Sequence, residues 1–340
     1  MNKLTTKIRR SFFNIMKGVD FSKRRIPLIV AESQNPGPVV WLIGVEHGDE
    51  VGGMVVIHEL FGLIRKQGLL KGKIYAIPLL NPMGFEMVSR HIPYTKEDLN
   101  RSYPGNPNGT LAERIAYKIH ESIIQSKPDL VLDLHNDWHN SIPYIILENQ
   151  KKDEKKTLNK KIKKIARRSG LVMIKETDDI PNSLSSTLYN NKIPAITLEL
   201  GQSYIVNEKN VEIGVNSLIN ILSFFNMLNS DNTPLNYIKG KKLRKKILYY
   251  TDEPRSTKTG IIRFKAEAGE YVPKNHTIAE IFDVFGKKIE TIKSKEKGII
   301  LGNNDNSVSM PGTSIIAMGA LKNSKQEKKR KPKKIITKKD

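Results

Sequence analysis

The sequence predicts an α/β protein, with a mixed central sheet covered by helices on both faces and a small C-terminal β-domain of the barrel-sandwich kind. Three observations predict it. Apolar runs rich in β-branched residues recur through residue 200, as buried strands do. Between them lie stretches whose apolar residues return near the 3.6 period of an amphipathic helix. After Asn229 the chain becomes polar, then basic, then glycine-punctuated and strand-like, and this last part repeats on itself.

Taken in order, residues 1–25 form a basic N-terminal extension whose apolar residues are broken by Asn14, so it lacks a signal-peptide core. The α/β domain occupies residues 26–230. Its strands are expected at Pro38 to Val45, Lys73 to Leu79, Asp129 to Leu134, Pro143 to Leu147 and Ala195 to Leu200. Helices are expected at Glu50 to Lys66, Gly109 to Gln125, Lys155 to Ser169 and Val211 to Leu228. A basic linker fills 231–246, the β-domain 247–320 and a disordered basic tail 321–340. Within the β-domain, Gly260-Ile261-Ile262 matches Gly298-Ile299-Ile300, Pro273 matches Pro311, and Ile278-Ala279 matches Ile316-Ala317, an offset of 38 residues. Two similar meanders imply pseudo-symmetry. Lys287 and Lys288 stand beside a turn between the halves, where related domains carry lipoyl or biotinyl groups, but no attachment motif flanks them.

With 340 residues and 38% hydrophobic content, the chain can bury a large core. It has no cysteine, which removes disulfides, thiolate metal sites and a cysteine nucleophile, and fits a cytoplasmic location. No run approaches the roughly 18 apolar residues of a membrane span. The net charge of +22 is local: Lys151 to Arg168 carries ten basic and two acidic residues, Lys239 to Lys246 six basic, and Lys322 to Asp340 ten basic and two acidic. Lysine runs of this kind are solvated faces, a linker and a tail, and no RRM, KH or zinc-finger pattern accompanies them. Neither specific nucleic-acid binding nor membrane binding is expected. Homo-oligomerisation is left open.

The chemistry lies at the strand ends. In Gly44-Val45-Glu46-His47-Gly48-Asp49-Glu50 an apolar strand stops at a histidine and a carboxylate three residues apart, so both can reach one metal ion. Alone, this spacing also fits a solvated loop histidine beside a helix-start glutamate. His135, delivered by the buried run Asp129 to Leu134, supplies a third ligand, and two His with one Glu leave a fourth position open for water, whose pKa zinc lowers from 15.7 to roughly 7. Asp133 and Asp137 are candidates to orient an imidazole. Glu199 stands inside the apolar strand Ala195 to Leu200, where an unpaired charge is costly, and suits a general base. Asn100 and Arg101 pair an amide with a guanidinium, suited to a carboxylate, and Arg90 could stabilise an oxyanion. His139 is a candidate for the surroundings of the metal; His58, His91, His120 and His276 read as surface or core residues.

The ordered set Gly44-x-x-His47-Gly48-x-Glu50, Asn81-Pro82, Asp98-Leu99-Asn100-Arg101, Asp133-Leu134-His135 and Glu199-Leu200-Gly201 resembles the succinylglutamate desuccinylase/aspartoacylase family of the zinc carboxypeptidase superfamily. The resemblance covers residues 25–320 and implies a zinc carboxypeptidase-like fold. It implies one zinc per chain on His47, Glu50 and His135, Glu199 as base, Arg90 polarising the scissile carbonyl, and Asn100 with Arg101 holding a substrate carboxylate. The implied reaction is hydrolysis of the amide of a small N-acyl amino acid. The alternatives are a metallocarboxypeptidase acting on short peptides and a non-catalytic binding module with basic patches.

Overall fold

The computed structural model describes residues 6–18, 20–148, 155–178, 180–229, 235, 237 and 246–321. A hairpin opens the chain, β1 (Thr6–Lys17) and β2 (Lys23–Ser33), so part of the basic N-terminal extension is the edge strand of the sheet. Then follow β3 (Val39–Gly44), α1 (Gly52–Gln67), β4 (Lys73–Ile77), α2 (Pro82–Glu86), a 3₁₀ turn (Leu99–Arg101), α3 (Leu111–Gln125), β5 (Leu130–Asp137), β6 (Asn140–Ser141) and β7 (Pro143–Leu147). Next come α4 (Lys156–Arg168), β8 (Val172–Lys175), α5 (Leu184–Asn190), β9 (Ala195–Gln202) and α6 (Glu208–Phe224). The C-terminal strands are β10 (Ile247–Thr251), β11 (Gly260–Phe264), β12 (Tyr271–Val272), β13 (Thr277–Phe282), β14 (Lys288–Lys293), β15 (Gly298–Asn303), β16 (Val308–Ser309) and β17 (Ile316–Ala320). Among the described residues no helix is long and apolar enough to cross a membrane.

Period-two alternation explains how one sheet serves two layers of helices. From β3, Val40 and Leu42 pack with α1, α4 and α6 in one apolar cluster, whereas Trp41 and Ile43 pack with α3 and α5 in another. The large sheet runs β1-β2-β4-β3-β5-β9-β7-β8-β10-β17-β15-β12. It is mixed: β4, β3, β5 and β9 are parallel neighbours, as are β7, β8 and β10, while β7 runs antiparallel to β9. Open parallel sheets bind ligands beyond the carboxyl ends of their strands. Here β3, β5 and β9 lie side by side, and their register sets Gly44 opposite Leu134 and His135 opposite Glu199.

The internal repeat has a structural counterpart. Hairpins β11–β13 and β15–β17 are its equivalent halves, and each takes a short strand from the other, β16 pairing with β11 and β12 with β15. The β14-β13-β11-β16 sheet stands apart as a small antiparallel sheet. The second hairpin joins the large sheet, because β17 pairs with β10 and β10 with β8. Residues 322–340 of the expected tail, and all of the expected linker except Leu235, Tyr237 and Lys246, lie outside the described residues.

One glycine fixes the loop after β3. A Cβ on Gly48 would stand 1.9 Å from the Gly84 carbonyl carbon, so only glycine lets residues 45–50 close against the start of α2.

Candidate metal centre

His47 and Glu50 lie in the short connection from β3 to α1, and His135 is the sixth residue of β5. Glu50 bridges the two imidazoles: its Oε1 is 2.7 Å from His47 Nδ1 and its Oε2 2.8 Å from His135 Nδ1. The Asn136 N–H also donates to Oε2 at 2.9 Å. All three side chains are buried, and the rings stand 5.0 Å apart. The Asn136 side chain braces the arrangement by accepting from the Gly52 N–H at the start of α1 and donating to the Gln202 carbonyl at the end of β9.

Each outer ring nitrogen meets a carboxylate. His47 Nε2 is 3.0 Å from Asp98 Oδ1, and Arg90 donates to Asp98 Oδ2 from Nη2 at 3.1 Å. Arg90 also reaches Glu50, with Nη1 3.3 Å from Oε1. His135 Nε2 stands 3.1 Å from Asp133 Oδ2 and 3.4 Å from Glu46 Oε2. Asn100 Nδ2 lies 3.2 Å from the same Nε2, its orientation fixed by Oδ1 accepting the Leu184 N–H at 2.8 Å. Arg101 is exposed and donates to the Asn100 carbonyl.

These contacts set the charges. Burial pulls the His47 imidazole down, but Glu50's charge and the bonds to Asp98 and Glu50 outweigh it and raise the group to about 9. His135 is likewise lifted well above its usual range, burial being overcome by the charges of Asp133 and Glu50. Burial alone would raise Glu50; the two imidazoles hold it well below the usual carboxylate range. The donor set fits zinc. His47, Glu50 and His135 offer ligand atoms within 4.8 Å of one another, two of them imidazole nitrogens and one a carboxylate oxygen, and both outer nitrogens are already oriented by carboxylates.

Glu199 sits beside this triad, opposite His135 on β5 and Tyr144 on β7. Its Oε2 is buried and takes no hydrogen bond among the described residues. Burial, reinforced by the charge of Asp137, pushes Glu199 up to about 8. Asp137 does not orient an imidazole: it accepts the Tyr144 hydroxyl at 2.7 Å. His139 lies at the rim, its ring edge-on to Tyr204 with centroids 4.4 Å apart.

The structure therefore brings His47, Glu50, His135, Arg90 and Asn100 into direct contact, with Glu199 on the adjoining strand and Arg101 beside Asn100. Sequence reasoning gave no role to two groups that hold the imidazoles, Glu46 and Asp98. Glu46 carries a local signal, a carboxylate at the end of a buried strand immediately before a candidate ligand. Asp98 is 51 residues from His47 in the chain, and only the tertiary fold joins them.

A family model described as the succinylglutamate desuccinylase/aspartoacylase catalytic domain matches residues 36–225. An N-alpha-acetyl-L-2,4-diaminobutyric acid deacetylase of Halomonas elongata is 32% identical over 111 residues, covering 33% of this chain and 32% of that protein, so the match spans about a third of that relative's length. Among solved structures, a succinylglutamate desuccinylase from Silicibacter sp. TM1040 superposes with a TM-score of 0.77 at 18% identity, covering 92% of this chain and 94% of that one. The product-bound ectoine utilization protein of Ruegeria pomeroyi gives 0.77 at 19%, covering 94% and 99%. At these identities the structures are likenesses of fold. The family model is the stronger finding, since it spans more than half of the chain and contains every candidate ligand, and by it the protein belongs to the succinylglutamate desuccinylase/aspartoacylase family.

Proposed function

We propose that the protein is a zinc-dependent deacylase that hydrolyses the amide bond of a small N-acyl amino acid, with an N-acetylated diamino acid as the first substrate to test. The observation that carries this reading is the convergence of His47, Glu50 and His135 beside a strand-borne carboxylate, Glu199. The distant likeness to a diaminobutyrate deacetylase supports the choice of substrate.

Zinc, when bound by His47, Glu50 and His135, supplies a Lewis acid and acidifies water for attack on the acyl carbonyl. Glu199 accepts the proton of the attacking water. Its proton affinity, raised to about 8 by burial, suits a group that takes a proton and then returns it to the leaving amine. Arg90, 40% exposed and anchored on Asp98, donates to the oxygen on which negative charge develops. Arg101, with Asn100 behind it, binds the substrate carboxylate. The products are a carboxylate and a free amine.

The test is amine release from N-acetyl, N-succinyl and N-acylaspartyl compounds and short peptides, with zinc-loaded and chelated protein. Chelator-sensitive release from an N-acyl amino acid is expected; release from peptides alone would replace the reading with a carboxypeptidase. Glu199→Gln should keep stoichiometric zinc and lose about 10²- to 10⁴-fold in kcat. A Gln variant of undiminished activity would remove Glu199 as the base.

A further inference from the structure

In a chain with 57 lysines and arginines, carboxylates without a cationic partner are informative. Two are linked to one another through His139 and Tyr204, one of them beside Glu50 in the chain. Asp49, between the ligands His47 and Glu50 in the chain, is only 8% exposed, and its Oδ1 is buried with no hydrogen-bond partner among the described residues. Leaving such an oxygen unpaired is costly unless a ligand compensates it. Asp305 comes from the other end of the sequence, in the loop after β15. Its Oδ1 accepts the His139 N–H at 2.6 Å, and its side chain remains 35% exposed. Among the described residues neither carboxylate has a Lys or Arg within salt-bridge distance; Asp305 has only the His139 ring, 3.9 Å away.

An aromatic pair lies between them. His139 and Tyr204 meet edge to face, and the Tyr204 N–H donates to the Asp49 carbonyl at 2.8 Å. The Tyr204 hydroxyl is held above its ordinary range by burial, then by the charge of Asp49 and a side-chain hydrogen bond with it, and by the charge of Asp305, while Arg90 opposes them; the phenol thus engages one carboxylate oxygen of Asp49 and leaves Oδ1 unpaired among the described residues. Tyr204 is 47% exposed, so its ring is open to an entering molecule. The loop that carries Asp305 is tied at its base to the end of the His135-bearing segment, because β6 pairs with β15, Asn140 opposite Asn303.

We propose that Asp305, Asp49 and the His139–Tyr204 ring pair form a cation subsite that selects acyl substrates carrying a free ammonium group. The inference rests on the deacylase reading and deepens it. The C-terminal segment then contributes a specificity residue as well as sheet pairing. Carboxylates fix the ammonium by charge and the Tyr204 ring by its electron-rich face. Arg101 takes the substrate carboxylate, so a zwitterionic side is read at both ends while the acyl group faces Glu199.

The experiment compares two substrates on the zinc-loaded full chain: N-acetyl-2,4-diaminobutyrate and N-acetylnorvaline, which replaces the ammonium by a methyl group. The wild type should favour the ammonium compound at least about tenfold in kcat/KM, the worth of one partly exposed charge pair. Asp305→Asn should raise KM for that compound by about tenfold, leave kcat within about twofold, and leave N-acetylnorvaline unaffected. Asp49→Asn should act the same way, scored only with its zinc content intact. Preference for N-acetylnorvaline, or equal losses on both substrates, would overturn the subsite while leaving the deacylase reading in place. Hydrolysis of neither would overturn that reading instead. In that event calorimetric binding of 2,4-diaminobutyrate and norvaline decides the subsite: tighter diamine binding lost in Asp305→Asn supports it, and equal binding refutes it.

Discussion

Loading the metal-free protein with zinc should expel about two protons from its imidazoles at pH 7.5, any further release coming from Glu199, which burial pushes up to about 8. The number follows from the site. With His47 raised to about 9, its imidazole is about 97% protonated at that pH, and His135, lifted well above its usual range, is protonated as well. Glu50 is held ionised and contributes none. A metal that takes both Nδ1 atoms must therefore displace both protons. Two ordinary histidines near 6.5 would release only about 0.2 proton together at pH 7.5. Titration calorimetry in buffers of different ionisation enthalpy reads the count as the slope of apparent against buffer enthalpy. Zinc affinity should also rise about 100-fold per pH unit between 7 and 8. A release below about half a proton would refute the claim that Glu50 holds both imidazoles as cations.

The same shift couples metal-free stability to pH. A histidine whose folded pKa is raised stabilises fully below its unfolded value near 6.5, and that contribution disappears as pH rises through about 9. His47 alone should cost the metal-free protein about 3 kcal/mol between pH 6.5 and 9.5, with His135 and Glu199 adding in the same direction, read by urea unfolding, and a flat profile would contradict it. Replacing Asp98 by Asn should weaken zinc binding about 10- to 100-fold, since His47 Nε2 and Arg90 both anchor there; unchanged affinity in a chelator competition would show the anchor to be dispensable. Gly48→Ala places a Cβ 1.9 Å from backbone at Gly84 and should destabilise the fold by about 3 kcal/mol in the same unfolding assay.

What could be read in advance divides along physical lines. Buried parallel strands are continuous apolar runs, so β3, expected at Pro38 to Val45, forms at Val39–Gly44, and β7 at the expected Pro143–Leu147. Helix α1, expected from Glu50, begins at Gly52, because residues 45–51 first turn to bring His47 and Glu50 together. The hairpin of β1 and β2 left no comparable trace. Its first strand is mostly exposed, with Arg9 and Arg10 adjacent, and pairing with β2 rather than apolar periodicity makes it a strand. The repeat of 38 residues was legible, but the exchange of β12 and β16 between its halves is a long-range pairing that no local pattern encodes. The site follows the same rule: the candidate ligands at strand ends were visible, whereas Asp98 reaches His47 from a distant loop.

The balance of charge explains why the site suits a divalent ion. Around two imidazoles and Arg90 stand Glu46, Glu50, Asp98 and Asp133, with Glu199 on the next strand. Burial and the neighbouring charge of Asp133 raise Glu46, and the positive charge of His135, 3.1 Å from Asp133 and 3.4 Å from Glu46, opposes that rise and steadies the pair. Removing that charge without replacement would leave buried carboxylates uncompensated, at a cost of several kcal/mol. Two protons leaving as one Zn²⁺ enters conserves the charge. The surrounding carboxylates then meet the same net field in both states, and Asp98, Asp133 and Asn136 need not move to admit the ion. The metal-free and zinc-loaded forms should accordingly share one arrangement of these side chains, which crystal structures of both would test; a rearranged Asp133 or Asp98 would show that binding, rather than folding, organises the site.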